Sequence, residues 1–162
     1  MKVAISGCLG YFNCRYDAGG FDDYDLEKAK AFIKNFYNVD NVEFYPVCPE
    51  QLGGLSTPRR PAEIIDGDGF GVWSDNKQIL NIDGINVTDN FKKGAQEVLK
   101  LTKINNIEVF ILKENSPSCG VNMIYTGEFN GNKKKGSGAT SALLINEGFK
   151  VFSDLCVQSD SP

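Results

Sequence analysis

Hydrophobic and polar positions along this chain fall into two rhythms. Three short apolar runs, Lys2 to Gly7 (KVAISG), Val42 to Val47 (VEFYPV) and Ile107 to Lys113 (IEVFILK), read as β-strands. Between them the spacing lengthens to three and four residues. Leu26, Ala29, Ile33, Phe36 and Tyr37 predict a helix from about Asp25 to Tyr37. Phe91, Ala95, Val98, Leu99 and Thr102 predict a second, capped by Thr88 or Asp89 and ending near Asn105 and Asn106. A third helix, Ala139 to Asn146, stops at Gly148, and Phe149 to Ser153 reads as a last strand.

Three stretches keep neither rhythm. Pro49 ends regular continuation of the second strand, and Glu50 to Pro61 (EQLGGLSTPRRP) reads as a shaped loop, long enough to enclose a ligand. From Ala62 to Thr88 the turn dipeptides Asp66-Gly67, Asp68-Gly69 and Asp83-Gly84 separate apolar runs, which predicts an antiparallel hairpin at the sheet edge. The stretch ENSPSCGVNMIYTGEFNGNKKKGSG reads as a loop. The alternation of strands and helices predicts an α/β fold: one domain over residues 1–162, with a mostly parallel Rossmann-like sheet, flanking helices and an antiparallel excursion.

Composition narrows the functional classes. At 162 residues, 41% apolar and 23% charged, the chain suits one soluble domain with a real core. A net charge of −4 weighs against a surface that tracks duplex phosphates. The start, MKVAISGCLGYF, has too short an apolar run for a signal peptide, and no stretch approaches a membrane span, so the expected location is the cytoplasm. Thiols stay reduced there, and five cysteines, an odd count, suit a disulfide framework poorly.

The chemistry must do without imidazole, because the chain contains no histidine. That removes a Ser-His-Asp triad, a histidine base and a His-ligated zinc. Cys8, Cys48 and Cys119 each lie just past a predicted strand. In an open parallel sheet the carboxyl ends of strands converge on one edge, so these thiols meet in space and point to a soft metal centre. A structural zinc site would show a Cys-x2-Cys pair, which is absent. A phosphatase-like nucleophile would want an arginine six residues on, where Cys8 has Cys14, with Arg15 one too far. An iron–sulfur cluster on three thiolates fits best and leaves one iron open to substrate. Free cysteine also fills cores inertly; that reading is preferred for Cys156, while Cys14 stays open.

Further motifs carry a resemblance. Cys8-x5-Cys14-Arg15-Tyr16-Asp17, Val47-Cys48-Pro49-Glu50, Leu52-Gly53-Gly54, Thr57-Pro58-Arg59 and Pro61-Ala62-Glu63-Ile64 are followed by Glu114-x-Ser116-Pro117-Ser118-Cys119-Gly120 and Gly136-x-Gly138-x-Thr140. In this combination, essentially the whole chain resembles the thiouracil desulfidases, a bacterial family once classed as a domain of unknown function. The resemblance implies a [4Fe-4S] cluster on Cys8, Cys48 and Cys119 and removal of sulfur from a thiolated uracil without net redox. Ala18, Arg60 and the CLGY of the first loop depart from the family pattern, and all three bear on substrate identity.

Beside the cysteines, Glu50 is expected to act as general base for water, because it lies two residues from Cys48. Asp17 has an equal claim to catalysis and to a turn or an ion pair. Ser116 is the better candidate for touching substrate, and Ser118 the better one for binding the turn's backbone. Arg59 is expected to hold an anionic group or brace its loop, with Arg60 exposed and Glu114 paired with Lys113 at the surface. Lys133 to Lys135 reads as a solvated turn, with RNA contact the minority reading. The expected partner is a small thiolated nucleobase or nucleoside. The rivals are a non-enzymatic redox sensor, favoured if Cys14 closes the site as a fourth ligand, and a metal-free thiol nucleophile.

Overall fold

The structure, a computed structural model, describes residues 1–159. Its elements in chain order are β1 (Lys2–Ser6), α1 (Leu26–Tyr37), β2 (Glu43–Val47), α2 (Pro49–Leu52), β3 (Ala62–Ile64), α3 (Gly69–Ser74) and β4 (Ile79–Asn81). There follow α4 (Thr88–Asn105), β5 (Val109–Leu112), β6 (Met123–Tyr125), β7 (Lys133–Lys135), α5 (Ala139–Asn146), β8 (Lys150–Ser153) and α6 (Asp154–Gln158). The central sheet runs β2-β1-β5-β8, every pair parallel. From β1 the chain steps out to β2, then returns across β1 to β5 and on to β8. The reversal falls between β1 and β5, where a parallel sheet opens a crevice at its carboxyl edge.

Strand alternation divides the core into two layers. Val3, Ile5, Val109 and Ile111 face α1 through Ala29 and Ile33, with Val157 of α6 beside them. Ala4, Phe110 and Leu112 face the other way, against Val98 of α4 and Leu144 of α5. With both faces covered, β5 and the middle of β1, Val3 to Ile5, are continuously apolar. A third cluster, Ile64, Val72, Ile79, Phe91, Ile124 and Ala139, lies under the antiparallel pairs β3–β4 and β6–β7 and joins them to α4 and α5.

The structure corrects several local expectations. Pro49 does not open a loop: it sits in the first turn of α2, where its missing N–H costs nothing. A short helix, α3, lies within the expected hairpin, capped by Asp68, whose side chain accepts from Gly71 N at 3.1 Å. The stretch expected as a loop after the third strand carries the hairpin β6–β7, so Lys133 to Lys135 form a strand rather than a turn. Thr88 does not cap α4; its hydroxyl donates to Asn86 Oδ1 and accepts from Ile79 N, tying α4 to β4. Phe36 is 57% exposed, because it packs at the layer's edge on Phe32, Tyr37 and Phe152.

One close approach sets the position of α2. A Cβ at Gly94 of α4 would stand 1.9 Å from the Pro49 carbonyl oxygen, and one at Gly53 would stand 2.0 Å from the Asn90 carbonyl oxygen. Only glycine allows the two helix backbones to meet this closely, and the meeting fixes the residues at the start of α2.

Candidate active site

The carboxyl edge of the sheet opens into a cavity of about 460 Å³. Cys8, Cys14, Cys48 and Cys119 all line it, and all four are buried. Cys8 and Cys48, just past β1 and β2, and Cys119, in the turn beyond β5, thus share one cavity. Cys8 follows β1, where Gly7 N donates to Val47 O at 2.7 Å and ties the first loop to the end of β2. Cys48 caps α2. Cys119 sits in a turn clamped by α5, whose otherwise unpaired first amides, Ala139 and Thr140, donate to the carbonyls of Pro117 and Ser118 at 2.8 and 2.9 Å. A Cβ at Gly138 would meet the Ser118 carbonyl at 2.5 Å, so the clamp needs glycine there. Cys156 is not core filler; it is exposed on α6.

The thiols perturb one another. Cys48 is pushed far above the ordinary cysteine range by its hydrogen bond with Cys14, by burial and by the charge of Glu50. Burial and Glu50 raise Cys119, opposed by the hydroxyls of Ser6 and Ser118. Cys14 is hydrogen bonded to Cys48, which lowers it, and to Cys8, which together with burial raises it, to a net value of about 11. Among the described residues no three His, Cys, Asp or Glu side chains gather closely enough to hold a single metal ion. A cluster makes a different demand, since its thiolate ligands bind separate irons. The donor set fits such a group: soft sulfurs, shielded from solvent, whose ionisation awaits a cationic centre.

Glu50 is 8% exposed and lies in the cavity wall. Its Oε1 accepts from Ser118 Oγ and, at 3.3 Å, from Ser116 Oγ; its Oε2 lies 3.6 Å from Cys48 Sγ and 4.0 Å from Arg59. The two serines exchange their expected settings. Ser116 Oγ accepts from the Ser118 and Cys119 amides, both at 3.1 Å, and so binds the turn, although it still lines the cavity. Ser118, wholly buried, is free of local backbone and gives its hydroxyl to Glu50, 3.5 Å from Cys119 Sγ. The reason is geometric: an amide-accepting hydroxyl suits the first residue of such a turn, and that is Ser116.

Arg59 braces two loops, donating to Cys14 O at 3.0 Å and Thr57 Oγ1 at 3.1 Å. Arg60 is exposed and pairs with Asp83 at 2.9 Å. Asp17 does not reach the cavity; it is exposed, accepts from Gly19 N at 2.9 Å and lies 3.6 Å from Arg15. Glu114 is not paired at the surface. It is buried, and its Oε1 accepts from the amides of Val121, Asn122 and Met123 at 2.7–3.0 Å, which organises the chain beyond Cys119. Burial pushes its carboxyl up, but these bonds and one from Ser153 outweigh it, and the net shift is downward.

Sequence reasoning passed over several contributors. Ser6, at the end of β1, accepts from Lys113 N at 2.9 Å and places its hydroxyl against Cys119. Lys113 lines the cavity 3.5 Å from Asp154 and over the ring of Phe21. Ser6 had a signal in the alternation of β1, being the one polar inward position of an otherwise apolar strand.

The structure is thus a doubly wound α/β sheet with a thiol-lined crevice at its switch point. The model of the 2-thiouracil desulfurase family matches residues 3–155, and the chain belongs to that family. It is 41% identical over 152 residues to the uncharacterized protein YbbK of Bacillus subtilis (strain 168), covering 94% of this chain and 95% of that one. It is also similar to the solved structure of the [4Fe-4S]-dependent thiouracil desulfidase TudS (DUF523Vcz). The TM-score is 0.76 at 34% identity, covering 94% of this chain and 89% of that one.

Proposed function

We propose that this protein hydrolyses the thiocarbonyl of a thiolated uracil or a related thio-nucleobase or nucleoside, releasing hydrosulfide. Cys8, Cys48 and Cys119 hold a [4Fe-4S] cluster in this reading, and family membership with the likeness to TudS supports it. The observation that carries it is the placement of Glu50, a buried carboxylate in the same cavity as the thiols and 3.6 Å from Cys48 Sγ. When bound, the cluster supplies an open, thiophilic, Lewis-acidic iron.

The side chains do the rest. Glu50 takes a proton from water, which adds to the thiocarbonyl carbon; the C–S bond then breaks, leaving a carbonyl and hydrosulfide. No electrons are exchanged. Ser118 holds Glu50 Oε1 and thereby aims the other oxygen, while Ser116, on the cavity wall, steadies charge on the ligand. Arg59 keeps the first loop against α2, and with it the wall that bears Cys14. Asp17 takes no part in proton transfer and holds Arg15 at the mouth.

One observation favours a second reading. Cys14 is hydrogen bonded to both Cys8 and Cys48, so it could close the site as a fourth ligand and turn an enzyme into a sensor. Glu50→Gln tests the enzymatic reading: it preserves shape but removes basicity. Anaerobically purified variant should keep its brown absorption, iron and sulfide while kcat on 2-thiouracil falls roughly 10²- to 10⁴-fold. Turnover near the parent rate would place the base elsewhere.

A further inference from the structure

The Pro61-Ala62-Glu63-Ile64 segment has no part in the chemistry above, yet it brings a second buried carboxylate to the same cavity. Glu63 lies on β3, opposite Leu80 of β4, is 8% exposed and lines the cavity wall. Its Oε1 accepts from Gly127 N at 2.9 Å and Phe129 N at 3.3 Å. Its other oxygen has no partner among the described residues. Nor is that oxygen sealed from solvent: among the described residues the sealed, unpartnered side-chain atoms are Thr126 Oγ1 and Thr140 Oγ1.

Glu114 shows what a purely structural carboxylate looks like in this protein. Its Oε1 takes three amides and its Oε2 takes Asn122 Nδ2 at 3.4 Å. Glu63 uses one oxygen in that way and leaves the other open. An acceptor that no protein donor holds is free to take one from a ligand that displaces the cavity's water. Asn81 and Tyr125 line the same cavity and add polar groups to it.

We propose that Glu63 reads the donor edge of the bound base, its open oxygen accepting from a ring N–H. This rests on the thio-nucleobase reading above and deepens it, because it makes a free ring N–H a condition of recognition. A base methylated at the nitrogen that faces Glu63 loses the contact and leaves a buried carboxylate unpaired, the situation in which binding sites discriminate most strongly.

Glu63→Gln is the informative change. The amide oxygen can keep the Gly127 and Phe129 bonds, while the open acceptor becomes an NH2 donor. Calorimetric titration of the anaerobic, cluster-loaded protein with uracil, 1-methyluracil and 3-methyluracil measures the contact without requiring turnover. Glu63→Gln is expected to weaken uracil roughly 10- to 100-fold. One methylated isomer should bind the parent protein weakly from the start and lose nothing more on substitution. On 2-thiouracil the variant should raise KM and leave kcat within a few-fold. If Glu63→Gln does not fold, Glu63→Asp keeps the charge but withdraws it, and should give the same ranking of ligands. Equal weakening of all three ligands would show a wall that has merely collapsed, and unchanged uracil binding would show no contact; either overturns the inference. A parent protein that binds none of the three overturns the inference and the nucleobase reading together. One that binds uracil but releases no sulfur from 2-thiouracil overturns only the reaction.

Discussion

Placing alanine at Gly94 tests whether the contact between α2 and α4 positions the chemistry. The new Cβ would lie 1.9 Å from the Pro49 carbonyl oxygen, about 1.5 Å short of ordinary van der Waals contact at 3.4 Å. One helix must yield. α4 has 18 residues and is held along its length by Phe91, Ala95, Val98 and Thr102, whereas α2 has four residues. The displacement therefore falls on α2, and Cys48 and Glu50 move with it. Overpacking costs about 1–3 kcal/mol, and the better helix propensity of alanine offsets about 1 kcal/mol of that. The net loss of about 0–2 kcal/mol corresponds to a Tm decrease of no more than about 8 °C for a chain of this size. Catalysis is far less forgiving, since a misplacement of about 1 Å can cost roughly 10² in rate. Gly94→Ala should therefore melt only modestly earlier while its desulfuration rate drops by about two orders of magnitude and its iron content per chain declines. Differential scanning calorimetry, an iron and sulfide assay and a hydrosulfide-release assay measure the three quantities. A variant with parent-level iron and turnover would refute the argument that this contact sets the site.

Cys48→Ser should purify colourless and Cys14→Ser should stay brown, as absorbance near the thiolate-to-iron charge-transfer region will show; equal loss from both would support the four-thiolate, sensor-like site. Glu114 contributes pH-dependent stability with a definite sign. Its folded pKa lies below the ordinary 4.5, so its contribution is present above that value and is lost as pH falls through the folded one. Glu114→Gln should accordingly lower Tm at pH 7 and flatten the acid limb of Tm against pH, and an unchanged acid limb would remove Glu114 from that role.

The sheet was legible because its signal is local. KVAISG and IEVFILK pack both faces of a parallel sheet and so read as nearly unbroken apolar runs, and α1 and α4 show their buried stripes at three- and four-residue spacing. The converging cysteines followed from topology alone. What stayed hidden depends on partners distant in sequence. That Ser116 rather than Ser118 binds the turn's amides is decided by which serine stands first in the turn. That Glu114 is a buried latch depends on amides seven to nine residues ahead of it. Glu50 is the favoured base in sequence and Asp17 is balanced between catalysis and an ion pair, and only the path of the first loop leaves Asp17 outside the cavity wall. The helices α2, α3 and α6, of four, six and five residues, are too short for periodicity to register.

The thiols at the sheet edge also bear on the order in which this protein is built. Cys8, Cys48 and Cys119 are contributed by chain segments that meet only after β1 has paired with both β2 and β5, pairings that span dozens of residues. No pair of them forms a local clip of the kind that seats a metal on a nascent finger and drives its folding. The polypeptide must close its long loops first, drawing on apolar burial alone. On the proposed reading, a cluster would then be a late arrival, taken up by an already folded chain. Maturation thus becomes a question of delivery rather than of folding, and a chain that never receives its iron should remain compact.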